Sequence, residues 1–195
     1  MFNVAKIKKL ITKRARINGA SFPAPGDIPA TDILFTIEGA VAFRISSYDT
    51  EIIAKLIEVG AMDLDYKFTN QSDLTKLFDV PRNDLEPYSL TPVTLTDDKK
   101  DLVILLGKNY ASFVTKAYTD CFTEDSYYGY SKERSPIYYM ENDKTKGLIM
   151  PWRVDTVGVI QDIARKTAPP TTVTERPSDP NVGYCSNCNR AERLR

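Results

Sequence analysis

Polar and apolar residues alternate most cleanly over residues 33–45. Ile33, Phe35 and Ile37 alternate with Leu34 and Thr36, and Val41, Phe43 and Ile45 alternate with Ala42 and Arg44. Glu38-Gly39 lies between the two runs, so the pattern predicts a β-hairpin with one apolar face against a core. A second hairpin is expected from residues 92–96 and 102–106 around a charged turn at residues 97–100. The unbroken run Leu102-Val103-Ile104-Leu105-Leu106 predicts a strand buried on both faces. A third hairpin pairs residues 137–140 with 148–150, where Pro151, in or just after the strand, implies an edge or a strand end.

Helical spacing appears elsewhere. Over residues 4–16, Val4, Ile7, Leu10 and Ile11 share one face, and Lys6, Lys9, Lys13 and Arg16 share the opposite one. Asp49 is placed to cap a helix through residue 59, with Ile52, Ile53, Leu56 and Ile57 as its buried stripe and Gly60 as its stop. A short helix is expected at residues 72–78, stopped by Pro81. Residues 111–122 also read as a helix, with Val114, Ala117, Tyr118 and Cys121 on one stripe, and Asp155 begins a last short one. Residues 18–30 contain Gly19, Pro23, Pro25, Gly26 and Pro29 and read as a loop. No repeat of 20 to 50 residues is visible in the sequence.

Composition shifts after residue 166. Pro169, Pro170, Pro177 and Pro180 sit among Thr, Ser and Asp, which predicts a disordered tail over residues 167–195. The expected architecture is therefore an α+β domain at residues 1–166, with antiparallel hairpins packed against two or three helices. No apolar run is long enough to span a bilayer, no signal-peptide core is present, and the cysteines form no even framework; the expected compartment is the cytoplasm, of a host cell if the chain is viral.

Charge and chemistry narrow the function. Lys plus Arg and Asp plus Glu are each 26, so the formal charge is zero and any polyanion binding must be local. The chain has no histidine, which removes Ser-His-Asp and Cys-His catalysis and every His-containing metal site. Carboxylate pairs such as Asp63 with Asp65, Asp97 with Asp98, and Glu124 with Asp125 match no catalytic spacing. Lys6, Lys9, Lys13 and Arg16, widened by Lys8 and Arg14, would track phosphates of double-stranded DNA; the plainer reading is a solvated helix face. Tyr127, Tyr128 and Tyr130 would stack on bases or pack at a rim. Gln71 to Phe78 loosely resembles peptides that dock into sliding clamps, or is a buried amphipathic turn.

Cys185 and Cys188 have the C-x-x-C spacing of half a zinc site. A closed tetrahedral site needs four ligands, so zinc would be shared between chains or with a partner; otherwise the pair is a solvated tail dithiol.

Residues 109–154 run as an expected helix, a tyrosine-rich link, Ser135-Pro136-Ile137-Tyr138-Tyr139, a polar turn, and Gly147-Leu148-Ile149-Met150-Pro151-Trp152-Arg153-Val154. This segment resembles the end of bacterial and phage DNA polymerase sliding clamps, whose last strand ends in a Met-Pro-Met-Arg-Leu-like sequence. Trp152 and Val154 depart from that pattern. The resemblance implies a clamp-like domain with no enzymatic activity, a DNA-facing basic helix, and a pocket near Met150, Pro151 and Arg153 that receives replication proteins. A chain with room for one such domain would encircle DNA only as a homo-oligomer. Two other roles remain open: a regulatory module recruiting a partner through its Cys185–Cys188 tail, and a carboxylate-dependent enzyme.

Overall fold

The hairpin expected at residues 33–45 forms two adjacent strands of the sheet. A computed structural model describes residues 2–23, 31–97, 100–108, 110–124, 126–130 and 135–152. The architecture is α+β. Nine strands form one antiparallel sheet: β1 Ile17–Pro23, β2 Thr31–Ile37, β3 Val41–Ser46, β4 Glu86–Asp97, β5 Lys100–Leu106, β6 Ala111–Thr115, β7 Tyr127–Gly129, β8 Ile137–Glu141 and β9 Lys144–Ile149. The α-helices are short: α1 Val4–Leu10, α2 Thr50–Glu58, α3 Thr75–Phe78 and α4 Lys116–Thr119, with a single 3-10 turn at Arg82–Asp84.

The strand order is β1-β2-β3-β9-β8-β7-β4-β5-β6, with β3 and β9 antiparallel at a central seam where Ala42 stands opposite Leu148. Outward from that seam the two sides repeat each other. One is α1-β1-β2-β3 and the other is α4-β7-β8-β9, each a helix followed by a three-stranded meander. The last hairpin of each half turns through two residues of positive φ, Glu38 and Gly39 in the first and Asn142 and Asp143 in the second. Such turns carry the twist that neighbouring antiparallel strands need. The starts of the halves also meet. Phe2 bridges Phe122, and the Asn3 amide donates to the Cys121 carbonyl at 2.8 Å. The duplication lies in topology, not in residue identity.

β4 carries the sheet beyond this pair of halves. Its first residues pair with β7, its remainder with β5, and the register shifts between Leu90 and Thr94. A bulge bends a strand and increases its twist, which lets β4 serve both neighbours. At the far margin, the Trp152 amide donates to the Phe113 carbonyl of β6 at 2.6 Å. The segment that follows β9 thus reaches the edge strand.

Side-chain alternation divides the core between the two faces. Ile33, Phe35, Val41, Phe43, Ile137 and Tyr139 lie on the face covered by Ile7, Ile11, Ile52 and Leu56. Phe122 stacks on Tyr139 at 4.4 Å beneath α4. Each such buried side chain contributes about 1.5–3 kcal/mol. On the other face, Leu34, Ala42, Tyr138 and Leu148 pack with Leu74 and Phe78. The run Leu102 to Leu105 is buried on both faces, as its composition predicts, while Leu106 is exposed.

Three expectations are corrected. Residues 18–23 belong to β1 rather than to a loop. Gly19 is there because a Cβ would lie 2.7 Å from both the Leu34 carbonyl and the Phe68 ring, and Pro23 ends an edge strand where a missing donor is tolerated. Residues 111–115 form β6, and helix begins only at Lys116. Phe113 and Val114 are both buried and face opposite sides of a strand, which a single helical stripe does not permit. The first helix stops at Leu10, because Ile11 adopts extended backbone. The Asp49 position caps α2 as expected, but its carboxylate accepts from the Ser46 amide at 2.8 Å instead of from a helix amide. Residues 24–30 and the expected helix after Asp155 lie outside the described residues, as does the tail.

Candidate nucleic-acid interface

The anchoring of α1 determines which of its cations reach solvent. The Asn3 side chain accepts from the Lys6 amide at 3.3 Å, satisfying one orphan donor at the helix start. Ile7 and Ile11 are fully buried, so Lys9 points outward and is exposed. Lys6 and Lys8 are drawn sideways into ion pairs. Lys6 Nζ lies 3.2 Å from Asp120, and Lys8 Nζ lies 3.0 Å from Glu51 on α2.

Asp120 is shared. Lys116 Nζ reaches it at 2.7 Å from one turn earlier, so a single carboxylate joins α1 and α4, the helices that lead the two halves. Partial burial pushes the Asp120 carboxyl up, but hydrogen bonds and charge from Lys116 and Lys6 outweigh that and hold it below the usual carboxylate range.

Beyond Leu10 the expected four-residue helical stripe becomes an irregular basic margin. Lys13 and Arg14 lie in a turn and Arg16 leads into β1; all three are exposed. Among the described residues, no ion pair involves Lys9, Lys13, Arg14 or Arg16. The field of Lys13 reaches Glu58, whose carboxyl is lowered first by its hydrogen bond from Lys55 and further by Lys13 and Lys8.

A backbone arrangement not anticipated from the sequence ties this margin to the end of β9. The Arg16 amide donates to Glu38 Oε1 at 2.9 Å, and the Glu38 amide donates back to the Arg16 carbonyl at 2.9 Å. Ala40, at the other side of the same turn, accepts from the Met150 amide at 2.8 Å. Arg16 and Met150 therefore flank one tight turn. Met150 is exposed and Pro151 half-buried, and Lys100 Nζ stands 4.0 Å above the Trp152 ring.

The remaining expected site residues separate. Arg153, Cys185 and Cys188 lie outside the described residues. Leu74 and Phe78 of the clamp-peptide-like segment are buried, with Leu77 exposed, as in a buried amphipathic turn. Tyr127 is a core residue whose hydroxyl donates to the Thr119 carbonyl at 3.3 Å, whereas Tyr128 is half-buried on the opposite face beside Arg82. Asp63 accepts from the amides of Asp65 and Lys67, a turn role. Among the described residues, no group of three or more His, Cys, Asp or Glu is placed to hold a metal ion, and no helix is long and apolar enough to cross a membrane. Sequence reading missed Lys116 and Asp120, whose i, i+4 spacing was the available signal. Comparisons with protein-family models, curated proteins and solved structures give no match.

Proposed function

We propose that this chain is a non-enzymatic accessory of DNA replication built on a sliding-clamp-like domain. Its basic margin, Lys9, Lys13, Arg14 and Arg16, contacts the phosphates of double-stranded DNA, and replication proteins dock beside Met150 and Pro151. The observation that carries this reading is the paired-half topology, which sets α1 and α4 together on one sheet face with exposed cations along the border of that layer. The turn shared by Arg16 and Met150 adds support, because it couples the DNA-facing border to the proposed docking end.

Phosphate contacts of this kind carry no base information, so binding should be weak, fast and indifferent to sequence. Four cations would release about three to four counterions, giving log K against log salt a slope of roughly −3.6. Fluorescence anisotropy of a labelled duplex, titrated with the full chain at several salt concentrations, tests this. Binding at low salt with such a slope, equal for unrelated sequences, supports the reading. Absence of binding at low salt removes it.

A further inference from the structure

The sheet face opposite α1 carries an aromatic row with an uncovered end. Ala42, Leu148, Tyr138, Tyr128 and Pro87 stand side by side across β3, β9, β8, β7 and β4. Leu74 and Phe78 pack over the inner members, and Tyr138 is buried. Tyr128 is only half-buried, and Pro87 is exposed. Strand alternation forces this outward position, because Tyr127 and Gly129 on either side point into the core.

At this end the structure opens into a cleft of about 690 Å³ lined by Arg82, Asn83, Leu85, Pro87, Tyr128 and Asp143. That volume suits a ligand of nucleotide size. Arg82 Cζ lies 4.9 Å from the centre of the Tyr128 ring, and its Nη2 donates to the Tyr128 hydroxyl at 2.9 Å. Its other terminal nitrogen meets the carboxylate of Asp143, an exposed residue of the β8–β9 turn. The guanidinium is therefore held beside the Tyr128 ring by a cation–π contact and a hydrogen bond to its hydroxyl, with its other donor turned to an anion that solvent can readily replace.

We propose that this cleft is a subsite for single-stranded nucleic acid. A base extends the Tyr128–Arg82 stack, the guanidinium edge exchanges Asp143 for a backbone phosphate, and Asn83 offers an amide to the base edge. Stacking on an aromatic or guanidinium plane tolerates any base, and an adjacent fork of N–H donors suits a phosphate. An extended peptide fits less well. Tyr128 stands on β7, whose backbone is paired with β4 on one side and β8 on the other, so that strand offers no free edge for strand addition. The site lies on the opposite sheet face from the basic margin and does not depend on it.

The test uses the full chain and a short oligothymidylate carrying 5-bromodeoxyuridine. Ultraviolet cross-linking followed by mass spectrometry should place the adduct on the Tyr128 peptide. In anisotropy titrations at low salt, Tyr128→Leu and Arg82→Gln should each weaken oligonucleotide binding about tenfold, whereas Tyr128→Phe should stay within about twofold. The Tyr128 cross-link should persist in Lys9→Glu with Lys13→Glu while duplex binding is lost, which separates the subsite from the basic margin. Circular dichroism establishes that each variant is folded. An adduct mapped elsewhere, no single-strand binding by the wild type, or equal affinity of folded Tyr128→Leu would each overturn the proposal. Capture of an acidic peptide in place of the oligonucleotide would do the same.

Discussion

Ala42 and Leu148 face each other across the seam between β3 and β9, and the two halves of the molecule run outward from that pair in the same order. Gly147, the neighbour of Leu148, is opposite Phe43 and leaves room for the Phe122 ring, which comes from the loop that follows α4. The seam is thus the place where both halves and the helix layer press together.

Substituting Gly147 should consequently be costly. A Cβ at this position would lie 2.5 Å from Phe122 Cε1 and 3.1 Å from the Ala42 carbonyl oxygen. Phe122 cannot yield freely, since it stacks on Tyr139 at 4.4 Å and packs against Phe43 at 5.8 Å. Gly147→Ala should cost about 1–3 kcal/mol through overpacking. Urea unfolding should show a lower midpoint with an unchanged slope.

Asp120 should act as a modest, pH-dependent latch between α1 and α4. Its carboxyl sits below the usual range, so its contribution is complete above the ordinary carboxylate pKa and is lost as pH falls through the lowered folded value. Asp120→Asn should cost less than about 1 kcal/mol at pH 7, because the pair is partly solvated. Its stability should also fall less steeply in acid than that of the wild type. The same change releases Lys6 and Lys116, so duplex affinity at low salt should rise.

Cys121 should be chemically silent in the folded protein. Burial pushes its thiol up to about 12, and its side chain is fully enclosed beneath α4. Reactivity follows thiolate content and access. Iodoacetamide at pH 8 should leave the Cys121 peptide unmodified in native protein and label it in urea, as peptide mass spectrometry would show.

What could be read from residue order was mostly local. The Glu38-Gly39 turn, the α2 stripe ended by Gly60, the doubly buried Leu102 run and the strand stop at Pro151 follow from period and turn chemistry, and the structure contains each of them. β1 is not legible in residue order, because Gly19 serves a close approach by Phe68 that has no sequence signature. The 114, 117, 118 and 121 spacing in and after β6 fits a helix, while the demand of β5 for a partner is a tertiary fact. The paired halves were invisible for a related reason: strand order, not residue identity, is what repeats. Of the candidate site, the cations were legible, but their fates were not. Lys6 is tied to Asp120, whereas Lys9, Lys13 and Arg16 remain exposed.

If the proposed function holds, Lys9, Lys13, Arg14 and Arg16 form a border that tracks duplex DNA. The most direct measurement is low-salt duplex affinity of the wild type against a triple variant, Lys9→Glu, Lys13→Glu and Arg16→Glu, with thermal unfolding as control. Exposed substitutions usually change stability by no more than about 0.5 kcal/mol, so the variant should melt close to the wild type. Wild-type binding, which fades as salt rises, should disappear in the variant. A folded variant that binds duplex DNA as tightly as the wild type would contradict it.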